Sequence, residues 1–309
     1  MRAAPLGPIL LAVYRSILVP VDGSTLAERA LAVASTLATR LSSSLHVVHV
    51  HQERVVDELP VYGLSGAASQ AVAEQYVTAA ADRLREHAAG PVSAVVLEGS
   101  PAAAIAEYAA TAGIDLIVMS SHGRTGASRF WLGSVADATI RTSPLPVLMV
   151  RAIEGTTAAP GLFERILLPL DGSALAELAI PHAVAVAGSN PGHVHLLSVE
   201  ERAEDLRVSV WALAAAEPDD LAARLERADH YLHSVAARFK TDVPAATVSV
   251  EARGGHRIGE TIAQVAVEQD SDLVVMATHG RGASRLFLGN VVDKVVRGTR
   301  CSVLLVRAR

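Results

Sequence analysis

The chain has 309 residues, 50% of them apolar and 19% charged, enough for two domains that each bury their own core. A net charge of -5 with scattered arginines gives no general pull toward nucleic acid, whose backbone demands concentrated positive charge. Cys301 is the only cysteine, which excludes an intrachain disulfide and a cysteine-rich metal site.

Residues 1–14 include the short apolar stretch Leu6–Val13. It is too short to span a bilayer and runs without a polar cleavage region into the strand-like Ser16–Val19, so a loose extension is expected rather than an export signal. Strands are predicted at Ile17–Val21, Leu45–Val50, Ser93–Leu97, Leu116–Met119 and Val147–Val150, with helices at Thr25–Arg40, Ser69–Ala88 and Ala102–Ala112. Thr25-Leu-Ala-Glu28 has the spacing of a capping box, which starts the first helix just past Asp22. Residues 154–161 read as a linker between a first domain, 1–153, and a second, 162–309. Further strands are predicted at Ile166–Leu170, Val194–Val199, Thr247–Glu251, Leu273–Met276 and Val303–Val306. Cys301, at the start of the last run, reads as a small buried hydrophobe. Near-continuous Val/Leu/Ile runs without polar alternation indicate strands covered on both faces, hence a parallel α/β sheet with right-handed crossovers. Each apolar run ends within a few residues at Asp, Gly or Pro, so a soluble, cytoplasmic protein with no membrane partner is expected.

The two halves repeat one another. Pro20-Val-Asp-Gly-Ser24 returns as Pro169-Leu-Asp-Gly-Ser173, and Leu45–Val50 as Val194–Val199. The loop Ser120-Ser-His-Gly-Arg-Thr-Gly-Ala-Ser-Arg-Phe-Trp-Leu-Gly-Ser134 returns as Ala277-Thr-His-Gly-Arg-Gly-Ala-Ser-Arg-Leu-Phe-Leu-Gly-Asn290. A period of roughly 150 residues exceeds any solenoid unit and means domain duplication. A glycine-bearing loop between a buried strand and a helix suits a phosphate. Helix-start amides after Gly133 and the dipole favour an anion by about 0.3–1 kcal/mol when exposed. Glycine permits close approach and positive φ, Ser134 adds a hydroxyl, and Arg124 can add a charge-assisted contact. Open parallel sheets bind ligands beyond the carboxyl ends of their strands, so Asp22 and Ser120–Gly123 face one crevice if the first and fourth strands are neighbours.

An Asp after the first strand, then Gly123 and Gly133-Ser134 with nine residues between them after the fourth, with His122-Gly-Arg124 and Pro146-Val-Leu-Met-Val150, resembles the universal stress protein (UspA-like) family. The resemblance covers nearly the whole chain as a tandem of two such domains. It implies two Rossmann-like domains, each an open five-stranded parallel sheet of order 3-2-1-4-5 flanked by helices, and a role in stress response. It also implies ATP as a bound ligand, with or without Mg2+. Pro20 and Asp22 would line the adenosine end, with Asp22 accepting from ribose hydroxyls. Val50 would read adenine through its backbone, Met119 would pack on the nucleoside, and Gly123, Gly133, Ser134 and the amide of Val135 would cradle phosphates. Their counterparts are Pro169, Asp171, Val199, Met276, Gly280, Gly289, Asn290 and Val291. Family members dimerise through the last strand. The resemblance therefore implies a pseudo-dimer of the two halves within one chain, and allows a homodimer of tandem chains and an unknown protein partner.

The ATP-binding form of the motif has a glycine where this chain has Ser120 and Ala277. The second loop has only eight residues between Gly280 and Gly289, and Asn290 replaces the serine, although asparagine still caps a helix. A better site is expected in the first half than in the second. Lys240 and Lys294 are the only lysines; there is no P-loop and no nucleophile elbow. Binding without efficient phosphoryl transfer is therefore expected, with a nucleotide-free interaction scaffold and a weak ATP hydrolase as the alternatives. His46, His49, His51, His193 and His195 lack the converging partners of a zinc site and are expected to be hydrogen-bonded or solvated; His122 and His279 read as loop braces. Asp22 and Asp171 have a second reading as helix caps. Phe130-Trp-Leu132 reads as buried, and Glu201–Asp205 and Glu217–Asp220 as solvated charge.

Overall fold

The computed structural model describes residues 14–52, 66–86, 88–121, 132–151, 163–189, 192–201, 221–278 and 289–308. These form two compact units, one from each half of the chain. The expected linker, the extension up to residue 13, His122, Gly123, Arg124, Phe130, Trp131, Glu217–Asp220, His279 and Gly280 lie outside the described residues.

The first unit runs β1 (Ser16–Pro20), α1 (Thr25–Leu41), β2 (Ser44–His51), α2 (Gly66–Arg85), β3 (Val92–Glu98), α3 (Pro101–Thr111), β4 (Leu116–Ser120), α4 (Ser134–Thr142) and β5 (Val147–Val150). Its strands are parallel in the order β3-β2-β1-β4-β5. The second unit runs β6 (Arg165–Pro169), α5 (Ala174–Glu177), α6 (Ile180–Ser189), β7 (His193–Glu201), α7 (Leu221–Asp242), β8 (Thr247–Gly255), α8 (Ile258–Glu268), β9 (Leu273–Thr278), α9 (Asn290–Gly298) and β10 (Ser302–Arg307). Its order is β8-β7-β6-β9-β10, again parallel. In both sheets the chain builds outward on one side of the first strand and then crosses to the other, which makes that strand's carboxyl end the switch point.

The central strands carry the core. Ile17, Leu18 and Val19 in β1, and Leu167 and Leu168 in β6, are fully buried. Removing each such side chain from water contributes about 1.5–3 kcal/mol, and β-branched residues suit the pleated surface they occupy. Cys301 is buried, as its apolar setting suggests.

A repeated carboxylate ties the first strand of each unit to the fourth. Asp115, just before β4, accepts from the backbone amides of Arg15 (2.8 Å) and Ser16 (3.1 Å). Asp272, just before β9, does the same for Glu164 (2.7 Å) and Arg165 (3.1 Å). Burial raises the pKa of both carboxyls, that of Asp272 from 3.8 to about 6.

The first helix corrects the expected start. Its N-cap is Ser24, not Thr25: the Ser24 hydroxyl accepts from the Ala27 amide at 3.1 Å. Glu28 sits one position too late to close a capping box and turns instead to side chains of α2. In the second unit the equivalent helix breaks into α5 and α6. Pro181 follows the break, where the first unit has Ala32; proline offers no N–H to the preceding turn, and Leu178 and Ala179 bond instead to carbonyls three residues back.

Candidate functional site

β1 and β4 are neighbours, as the crevice requires. Ile17 pairs with Leu116 and Leu18 with Ile117, and continuing that register sets Pro20 opposite Met119. In the second unit Ile166 pairs with Leu273, which sets Pro169 opposite Met276. Both methionines are 5% exposed, at the edge of the core.

Past each of these strands the chain makes the same turn. Asp22 Oδ1 accepts from the Ser24 amide at 3.0 Å, and Asp171 Oδ1 from the Ser173 amide at 2.9 Å. The intervening Gly23 and Gly172 have φ of 82° and 75°, a conformation that favours glycine. One carboxylate oxygen of each Asp is thus engaged in holding the turn, the capping role anticipated as a second reading. The settings differ: Asp22 is half-buried and Asp171 exposed.

The neighbouring strand supplies a backbone edge. The Val21 amide donates to the Val48 carbonyl at 2.8 Å, so residue 48 of β2 faces β1. By strand alternation the N–H and C=O of Val50 face the same side, beyond the point where β1 has ended. The Leu170 amide donates to Leu197 at 2.8 Å, which aims the Val199 backbone past β6 in the same way.

The helix starts close the third side. Gly133 is the N-cap of α4 and Gly289 of α9, and neither helix start has a side-chain cap. Asn290 and Ser134 are therefore first helical residues, and Asn290 is not the cap expected from sequence. The Gly133 amide donates to Ser121 O at 2.8 Å, which anchors the helix start to the end of β4. The positive φ anticipated at these glycines does not occur: φ is -59° at Gly133 and -50° at Gly289. A Cβ at Gly289 would meet no atom within 4 Å among the described residues, and the backbone conformation there is open to any residue. Ser120 and Ala277 are half-buried, and Ser134 and Asn290 are exposed beside half-buried Val135 and Val291.

A set of residues not picked out from the sequence braces the turn. Glu28 accepts from the Tyr76 hydroxyl (3.3 Å) and from Arg83 (2.9 Å). Glu177 accepts from the Tyr231 hydroxyl (3.1 Å), with Arg238 at 3.8 Å. Burial and the Glu28 charge push the Tyr76 phenol up to about 12, and Asp22 adds to the rise, so Tyr76 stays a protonated donor beside the turn. The signal lay in the repeat: both glutamates follow Leu-Ala, and both tyrosines precede an arginine by seven residues.

His46, His49, His193 and His195 have identifiable partners. His46 Nδ1 lies 2.9 Å from the Tyr108 hydroxyl, and His49 Nδ1 lies 2.8 Å from the Val21 carbonyl. In the second unit a longer chain runs through β7, β8 and α8. His193 Nε2 and His195 Nδ1 each lie 2.7 Å from Ser249 Oγ, and His195 Nε2 lies 3.1 Å from Glu251. Glu251 then pairs with Arg253 (2.5 Å), which reaches Glu268 (2.8 Å). Burial lowers the His195 basicity, against the Glu251 carboxylate, which raises it. Among the described residues no group of three His, Cys, Asp or Glu side chains is placed to hold a metal, and no helix is long and apolar enough to cross a membrane.

The family model for universal stress proteins matches residues 13–151 and again 162–307. The chain belongs to the universal stress protein family. A universal stress protein of Methanocaldococcus jannaschii is 31% identical over 140 residues, 45% of this chain and 82% of that protein. One of Mycobacterium tuberculosis is 37% identical over 142 residues, 45% of this chain but only 46% of the relative's length. Among solved structures, a universal stress protein of Archaeoglobus fulgidus superposes with a TM-score of 0.67 at 19% identity, covering 94% of this chain and 98% of that one. At that identity the likeness concerns the fold, and it extends over both halves of this universal stress protein.

Proposed function

We propose that the first half of this universal stress protein binds an adenine nucleotide, ATP with or without Mg2+, in the crevice past β1 and β4. The nucleotide acts as a regulatory ligand in a stress response, without efficient catalysis, and the second half holds a weaker copy of the site. The carrying observation is the convergence of three unlike groups at one sheet end: the Asp22 carboxylate, the backbone edge of Val50 and the helix start at Gly133. A carboxylate accepts from the two ribose hydroxyls. An adjacent N–H and C=O match the ring nitrogen and exocyclic amine of adenine. Helix-start amides take phosphate oxygens. Pro20 and Met119 would give the nucleoside an apolar seat, and Gly123 and Arg124 would complete the phosphate end. Asp22 is more enclosed than Asp171, which supports the difference between halves.

Native mass spectrometry of the full chain with millimolar ATP tests this. One nucleotide per chain is expected, lost in Asp22→Ala and kept in Asp171→Ala. No bound nucleotide at any ATP concentration would leave an interaction scaffold of the same fold.

A further inference from the structure

We propose that Ser249 is a second reactive centre of the chain: a serine nucleophile, activated by His195 and Glu251, that accepts the acyl group of a small ester. By strand alternation His193 and His195 of β7 share a face with Ser249 and Glu251 of β8, and the register sets His195 opposite Ser249. These residues occupy the first part of β7 and the middle of β8, away from the carboxyl ends of β6 and β9. Glu251 Oε2 lies 3.1 Å from His195 Nε2, and His195 Nδ1 lies 2.7 Å from Ser249 Oγ. A carboxylate only accepts, so Nε2 carries the proton. Burial favours the neutral ring, which leaves Nδ1 bare to take the Ser249 proton. The hydroxyl has one hydrogen to give, so at its other 2.7 Å contact His193 Nε2 is the donor. Nucleophile, base, orienting carboxylate and a further N–H donor then stand in one line, the relation of groups that activates serine on unrelated folds.

The outer side of β8 pairs with no strand among the described residues, and Ser249 is only half-buried, so a carbonyl can approach without parting the sheet. In the first step Oγ bonds to the carbonyl carbon as its proton passes to His195 Nδ1, and Glu251 holds the imidazolium. The His193 N–H then turns from Oγ to the new oxyanion. Collapse breaks the bond to the alkoxide, which leaves with the proton from Nδ1. Water adds to the acyl carbon under the same base, the Oγ–C bond breaks and the proton returns to Oγ. The balance is ester plus water to acid plus alcohol. Arg253 is already taken by Glu251 and Glu268, so a short uncharged acyl group suits the site better than an acidic one.

The first half keeps the frame of this site without its chemistry. Ser93 holds the place of Ser249 and His46 that of His195, but Ser44 and Val95 stand where the second half has His193 and Glu251. There His46 Nδ1 lies 2.9 Å from the Tyr108 hydroxyl, and Ser93 Oγ donates to the Leu45 carbonyl at 3.5 Å. Among the described residues the serine–histidine contact is made in the half that has the glutamate and the second histidine, and not in the half that lacks them.

The full chain is treated with a fluorophosphonate, a reagent that bonds to activated serines, and the adduct is located by peptide mass mapping. One adduct per chain is expected, on Ser249, with Ser93 unmodified as the internal reference. Ser249→Ala should remove it. Glu251→Gln keeps an acceptor for Nε2–H but not the charge that holds the imidazolium, and should slow labelling about tenfold or more. The acetate ester of p-nitrophenol should release a burst of one nitrophenolate per chain and leave an acetyl group on Ser249. Labelling of Ser93 at the rate of Ser249, or of neither serine, overturns the proposal. So does labelling of Ser249 that Glu251→Gln leaves unchanged, because the serine would then react without the relay. Should Glu251→Gln fail to fold, the comparison of Ser249 with Ser93 in the wild type decides alone.

Discussion

In the first half, His46 meets a single tyrosine hydroxyl, and the strand beside it continues with Val95 and Leu97. In the second half, the register that pairs His195 with Ser249 puts Glu251 and Arg253 where Val95 and Leu97 would be, and both are drawn into a network ending at Glu268. The strand ends differ in the opposite sense. The first half has a half-buried Asp22 and His49 on the Val21 carbonyl; the second has an exposed Asp171 and Ser198. Polar side chains have thus been placed at the carboxyl end of the first strand in one copy and along the edge-strand face in the other. After duplication, the two units kept the backbone of the crevice and diverged in the side chains that support it.

The Asp115 and Asp272 clamps should not follow that divergence, because both hold the same two backbone amides. Replacing either by Ala leaves those donors without a protein acceptor. Each change is expected to cost about 2–4 kcal/mol. Urea unfolding of the two variants checks this. A negligible loss in one half alone would show that the frames, and not only the sites, have drifted apart.

The extent of this that was legible in the sequence follows the range of the interactions. Strands buried on both faces announce themselves as continuous apolar runs, and every predicted strand is present. β8 runs on to Gly255, past the predicted end at Glu251, and the extension was missed because Arg253-Gly-Gly255 carries no apolar signal. The places of Asp22, Val50, Met119 and Gly133 at strand and helix ends were legible because neighbouring residues mark those ends. The cap at Ser24 was missed by one position because its hydroxyl is set by the Asp-Gly-Ser turn and not by the spacing to Glu28. Tyr76, Arg83 and the contact of His49 with the Val21 carbonyl were not legible. Their partners are 28 to 55 residues away, and only the register brings them together.

His182 sharpens the comparison through pH, since the first half has Val33 at that position. Burial pushes its imidazole from 6.5 down to about 4. Between those values the unfolded chain binds more protons than the folded one, so stability falls as pH drops through the window. The loss reaches on the order of 3 kcal/mol at about 1.4 kcal/mol per unit. Asp272, with its pKa raised to about 6, works the other way: between 3.8 and 6 the folded state holds the extra proton, and stability falls as pH rises. The difference between wild type and His182→Val isolates the histidine. It should be near zero in slope above pH 7 and grow in favour of the variant down to pH 4.5. A pH-independent difference in urea midpoints would mean that the imidazole titrates alike in both states.

The smallest effect concerns the caps. Ser24 and Ser173 make the same 3.1 Å bond to the third amide of their helices. Loss of such a cap costs about 1 kcal/mol when a long helix depends on it. Ser24 starts a helix of 17 residues, whereas Ser173 starts one of 4 that ends ahead of Pro181. The helical turns that propagate a cap's benefit are absent in the second case. Ser24→Ala should therefore lower stability by about 1 kcal/mol and Ser173→Ala by roughly half of that or less, read from paired urea midpoints. Equal losses would mean that both serines act through the shared Asp-Gly-Ser turn, with helix length immaterial. Capping would then be a property of the crevice wall rather than of the helix behind it.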